Sequence, residues 1–173
     1  DRCWSFNGSA WSALPNSRQK HCFVDSPNVF VNDGWWITGR DGSCSSSTSD
    51  VYAGLNGKPG PALPGDEYPR YSCVVNLNTT HTFRIGGGYH TSPPSHVWLY
   101  DWNSQAWTRT GSLIQGRYAH GCVTLDGGRI LVAGGWDGSD RVYTVEIYDS
   151  TQGTWSSQPD LPRDIVYAPD SPL

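Results

Sequence analysis

Arg117-Tyr118-Ala119-His120-Gly121-Cys122-Val123-Thr124-Leu125, then Asp126-Gly127-Gly128, then Arg129-Ile130-Leu131-Val132-Ala133-Gly134-Gly135, is two apolar runs joined by a hairpin turn. Trp136-Asp137-Gly138 follows, and Val145-Glu146-Ile147-Tyr148-Asp149 leads through a second turn to Trp155. The stretch therefore reads as four short strands punctuated by turn residues. Its first half returns as Pro69-Arg70-Tyr71-Ser72-Cys73-Val74-Val75 leading to Phe83-Arg84-Ile85-Gly86-Gly87-Gly88. It returns again, with a longer insert, as Arg18-Gln19-Lys20-His21-Cys22-Phe23-Val24 leading to Trp35-Trp36-Ile37-Thr38-Gly39.

The second half repeats as well. Trp107 and Trp155 each follow an aromatic residue by seven positions, and so does Trp11, which follows Trp4. A degenerate copy contains Ala62-Leu63-Pro64, matching Ala13-Leu14-Pro15, and this puts Gly60 in the tryptophan position. Positions 11, 60, 107 and 155 are then spaced by 49, 47 and 48 residues. A period in this range is the mark of a repeat architecture.

The order Gly-Gly, Asp-Gly, Val-Glu-x-Tyr-Asp, five residues, Trp resembles the Kelch motif, most completely between Gly134 and Trp155. The resemblance implies an all-β fold, a Kelch-type β-propeller in which each repeat is one four-stranded antiparallel blade. It divides 1–173 into the outer strands of one blade (2–16), three blades (17–65, 66–114 and 115–162) and the start of another blade or a tail (163–173). That is a partial ring of about 3.5 blades, short of the roughly four to eight that close a propeller. Closure is expected from unseen sequence or from a second chain. The glycine pairs are expected where neighbouring backbones approach too closely for a side chain, and the tyrosines and tryptophans between blades.

Composition narrows the function. The chain has nine Trp and nine Tyr, no Met, and only two Lys and two Glu. Its net charge is −4, with no basic cluster, which argues against a nucleic-acid partner. No apolar run approaches the roughly 20 residues of a membrane span. The sequence opens at Asp1 without Met, which reads as a processed or partial polypeptide, or one whose beginning was not observed. Five cysteines and two N-x-S/T sequons, at Asn7 and Asn78, point to an extracellular or secretory-lumen glycoprotein. Cys3 and Cys44 are the candidate disulfide pair. Cys22, Cys73 and Cys122 take near-equivalent repeat positions, which argues against bridging among themselves because adjacent blades are expected to exceed the roughly 7 Å Cα limit.

Alternating strand direction brings two loop sets to one face: the linkers between blades and the loops joining second to third strands. The linkers carry Arg18, Arg70, Arg117 and Arg163; the other loops carry Arg40, Asp41, Tyr89, His90, Trp136, Asp137 and Arg141. Arg40, Asp41, Tyr89, His90, Trp136, Asp137, Arg141 and Arg117 form the candidate binding set. The competing role for the linker arginines is to satisfy blade carbonyls.

Kelch resemblance implies a non-catalytic module that binds a protein or glycan partner, with self-association as a route to ring closure. A structural component of an extracellular assembly is the alternative. A galactose-oxidase-like copper enzyme is a further reading, since Tyr89-His90, Tyr118 and His120 supply copper-type ligands. The Tyr89-His90 pair follows the glycine run instead of opening a strand, so that correspondence fails. No catalytic residue, cofactor or metal site is expected.

Overall fold

The computed structural model describes residues 71–88 and 91–162 with their side chains, and the backbone of six strands between residues 3 and 59. Fourteen strands are defined among the described residues. β1 (Cys3–Phe6) and β2 (Trp11–Leu14) form a two-stranded pair. β3 (Val29–Val31), β4 (Gly34–Arg40), β5 (Ser47–Ala53) and β6 (Asn56–Pro59) form a four-stranded sheet. β7 (Cys73–Asn76), β8 (His81–Ile85), β9 (Val97–Asp101) and β10 (Ala106–Arg109) form the next. β11 (Gly121–Leu125), β12 (Arg129–Ala133), β13 (Val145–Asp149) and β14 (Thr154–Gln158) form the last. Every pairing is antiparallel between sequence neighbours, as a blade requires.

Local chemistry explains the reversals. Gly127 and Gly128 both take positive φ (74° and 72°) in the turn between β11 and β12. Between β13 and β14, Asp149 accepts from the amide and hydroxyl of Thr151, and Gly153 holds φ 69°. The β9–β10 turn is built alike: Asp101 accepts from the Asn103 amide and Ser104 hydroxyl. At the position of Gly153, however, stands Gln105, in the same left-handed conformation at φ 57°.

Packing between blades forms the core. Val75, Phe83, Ile85, Val97 and Leu113 of one blade bury against Ile130, Val132, Tyr148 and Trp155 of the next. The rings of Phe83 and Tyr148 meet edge to face at 5.1 Å. Tyr148 shares a hydrogen bond with the Thr110 hydroxyl, and the Trp155 indole donates to the Gly111 carbonyl at 2.8 Å. The seven-residue spacing is thus a cross-strand pair, Tyr148 facing Trp155 and Tyr100 facing Trp107. Among the described residues, none covers the far face of the last blade in this way. Val75 is 9% exposed beneath its neighbour, whereas Val123, one repeat later, is 50% exposed. The described strands, three four-stranded sheets and one strand pair, make up a partial propeller.

Two sequence readings of the repeat register need correction. In the first hairpin Trp11 pairs with Phe6, not Trp4, so seven-residue spacing does not make a cross-strand pair there. In the degenerate blade Tyr52 pairs with Gly57, so Gly57 holds the tryptophan position and not Gly60. Only two residues separate β5 from β6, against four in the equivalent turns of the later blades, and this shifts the register. β4 is joined by Val29–Val31, close to it in sequence; the Cys22 segment, expected as the first strand of this blade, lies outside the described residues.

The glycine pairs behave as expected. Gly86 lies at φ +55°, and a Cβ there would sit 2.5 Å from the Arg117 carbonyl oxygen; the Gly87 amide donates to that same oxygen at 3.0 Å. Neighbouring blades are joined backbone to backbone at this seam.

Candidate functional site

The linker between the last two blades and the loop between β12 and β13 meet on one face. The Tyr118 and Trp136 backbones exchange hydrogen bonds, and Trp136 also bridges to Arg141. The Gln115 side chain reaches Asp137 and accepts from the Thr144 hydroxyl. The β8–β9 loop of the preceding blade joins them, because Leu113 donates to Ser95 and a Cβ on Gly116 would strike the Pro93 carbonyl.

Arg117 organises this junction from below. It is fully buried, and its guanidinium donates to the carbonyls of Gly134 and Thr144, the Thr144 hydroxyl, and Glu146 at 2.5 Å. Its carbonyl partners lie in the blade that it opens, not in the following one. Burial lowers its pKa, and the Glu146 carboxylate opposes that shift. Glu146, also buried, accepts from the amides of Ile114 and Gln115 at 2.7 and 3.2 Å. Arg117, one of the candidate binding residues, thus has no surface to offer a partner and acts as a positioning residue.

The exposed consequence is Ile114. Its amide is held by Glu146 while its side chain is 60% exposed, beside a linker whose Leu113 is buried. Sequence reasoning missed it. The available signal was an apolar residue directly after buried Leu113 in a turn that carries no glycan, metal or catalytic motif.

Among the other candidates, Trp136, Asp137 and Arg141 are half-buried in one loop. Asp137 accepts from the amides of Ser139 and Asp140 and the Ser139 hydroxyl, which hold its carboxyl below the usual range. Asp41, Tyr89 and His90 lie outside the described residues, and of Arg40 only the backbone, at the end of β4, is described. Cys44 also lies outside them, so the Cys3–Cys44 pairing is not addressed; Asn7 lies outside them too. Asn78 is exposed in the β7–β8 turn, where its side-chain oxygen accepts from the Thr80 amide and hydroxyl. His120 is buried between Gly86 and Gly135, and among the described residues neither ring nitrogen has a hydrogen-bond partner. Burial, then the Arg117 charge, depresses its pKa to about 3. Among the described residues no cluster of His, Cys, Asp or Glu is arranged to hold a metal, and no helix is long and apolar enough to cross a membrane.

The cysteine reading is overturned. Cys73 and Cys122 form a disulfide with Cα atoms 6.1 Å apart. Ile85 and Ala133 each precede a glycine pair and pair with Cys73 and Gly121 respectively, so Cys73 corresponds to Gly121 and Cys122 to Val74. A one-residue offset turns the two side chains to opposite faces of their strands. On successive blades, opposite faces are the ones that meet.

Residues 116–162 match the Kelch motif family. Over 110 residues the chain is 29% identical to human Kelch-like protein 35, covering 64% of this chain and 18% of that protein. The mouse protein of the same name is 30% identical over 114 residues, covering 66% and 19%. An Arabidopsis thaliana F-box/kelch-repeat protein, At5g03020, is 32% identical over 98 residues, covering 55% and 28%. The chain thus spans less than a third of the length of these relatives. Among solved structures, "Structure of YjhT" superposes with a TM-score of 0.68 at 16% identity, covering 87% of this chain and 54% of that one. That likeness concerns the fold. The extracellular or secretory-lumen placement expected from cysteines and sequons is corrected by these relatives, since Kelch-like proteins are typically intracellular. N-x-S/T triplets arise readily by chance, and an odd cysteine count fits free thiols as well as bridges.

Proposed function

From a chain built of Kelch repeats in a partial propeller, we propose a non-catalytic interaction module that takes a protein partner on the face formed by the linker and the β12–β13 loop. The observation that carries this reading is the presentation of Ile114, 60% exposed, on a linker held rigid by the buried Arg117–Glu146 pair. Exposed apolar side chains on a preorganised surface favour association because little ordering is left to do. Trp136 and Arg141 belong to residue types enriched at binding hot spots, and they share the loop with Asp137 and Asp140. A partner that fits would bring an apolar side chain to Ile114 and polar groups of both signs to the loop. The Kelch-like relatives support an interaction role over a catalytic one.

The test is selection of peptides from a displayed library on the 173-residue chain, followed by affinity measurement on variants. Ile114→Asp and Arg141→Glu should each weaken the selected peptides at least about tenfold, the equivalent of about 1.4 kcal/mol. Arg129→Gln, on the turn at the opposite end of the blade, should leave them unchanged. Peptides indifferent to both loop variants would refute this face as the binding surface.

A further inference from the structure

We propose that Cys73 and Cys122 are a reversible thiol–disulfide site, with Cys122 the exchanging sulfur and Cys73 the resolving one, and a low-molecular-weight thiol such as glutathione as co-reactant. Three observations converge on it. The pair joins the innermost strands of adjacent blades, β7 and β11, at a Cα separation of 6.1 Å across 49 residues of chain. The one-residue register offset aims the two side chains at each other without any backbone adjustment. Access is unequal: Cys73 is 1% exposed, whereas Cys122 is only partly buried.

That inequality orders the chemistry. In oxidation, the Cys122 thiolate attacks one sulfur of oxidised glutathione, forming a protein–glutathione disulfide and releasing one glutathione thiolate. The Cys73 thiolate then attacks the Cys122 sulfur, closing the Cys73–Cys122 bond and expelling the second glutathione. Two protein thiols become one disulfide, one glutathione disulfide becomes two thiols, and the protons pass to the released thiolates. Reduction runs the same steps backwards, beginning at the partly exposed Cys122. A bridge between blades in a protein whose relatives are typically intracellular is poised for such exchange, because disulfides there are transient or redox-sensing.

Along both strands the bridge closely follows the seam in which Ala119 donates to Tyr71 and Gly87 to Arg117, two residues after Tyr71 and three after Ala119. Closing it restrains the unfolded chain and pins that seam. The oxidised protein should melt about 5–15 °C above the reduced one.

The experiment equilibrates the 173-residue chain against graded ratios of reduced and oxidised glutathione, quenches with acid, alkylates and maps each cysteine by mass. The expected result is joint loss of the Cys73 and Cys122 thiols across the gradient, with a glutathione adduct on Cys122 at intermediate ratios. Cys73→Ala should accumulate that adduct, and Cys122→Ala should place none on Cys73. The wild-type titration needs no variant to be decisive. A bridge that survives fully reduced glutathione in native buffer, thiols that stay reduced throughout, or an adduct found on Cys73 would each overturn the proposal.

Discussion

Replacing Glu146 by alanine leaves the Arg117 guanidinium, fully buried, without its counter-charge, and leaves the amides of Ile114 and Gln115 without an acceptor. Breaking a buried pair from one side costs about 3–5 kcal/mol, because the remaining charge is stranded out of water. For a chain of this length each kcal/mol moves the midpoint by about 2–4 °C, so the melting temperature should fall by about 6–20 °C. Replacing both partners with apolar residues of similar volume, Arg117→Met with Glu146→Leu, strands no charge and should recover most of the loss. Urea unfolding followed by tryptophan fluorescence, run as a double-mutant cycle, gives a coupling energy expected to exceed about 2 kcal/mol. The double variant should still bind peptides poorly, since Ile114 and Gln115 lose the carboxylate that holds their amides. A Glu146→Ala cost below about 1 kcal/mol, or a double variant as costly as the two singles combined, would refute the reasoning.

Two glycines with similar backbone conformation should respond differently to alanine. Gly127, at φ +74° with nothing within 4 Å of a Cβ, should lose about 1 kcal/mol by urea unfolding, while Gly86 should lose about 3 kcal/mol or more because the Arg117 carbonyl blocks the Cβ. Gln105→Gly should stabilise by up to about 1 kcal/mol by relieving a left-handed residue where the next blade carries Gly153, read as a shift in thermal midpoint. Acid should weaken the fold through His120. Its pKa is near 3 when folded and about 6.5 when unfolded, so its stabilising effect is complete above pH 6.5 and is lost as pH falls towards 3. The loss reaches about 2 kcal/mol by pH 5, and a His120→Leu variant should flatten that part of the pH–stability curve.

Repeat period, turn residues and apolar alternation were enough to read the blades, because they are local: Asp126-Gly127-Gly128 turns the chain whatever surrounds it, and Tyr148 finds Trp155 through a four-residue turn. The glycine pairs were legible for a related reason, since positive φ beside a neighbouring carbonyl admits little else. Register was lost where a local length changed, as in the shortened turn that moves the tryptophan position to Gly57. What only the tertiary structure decided is which side chains from different blades share a space. Cys73 and Cys122 look equivalent in the string, yet one residue of offset turns them face to face. Arg117 reads equally well as a surface contact or a buried donor until Glu146, 29 residues away, is brought beneath it. Ile114 carries no motif at all; its exposure follows from the carboxylate that holds its amide, a relation between strands that no spacing along the chain encodes.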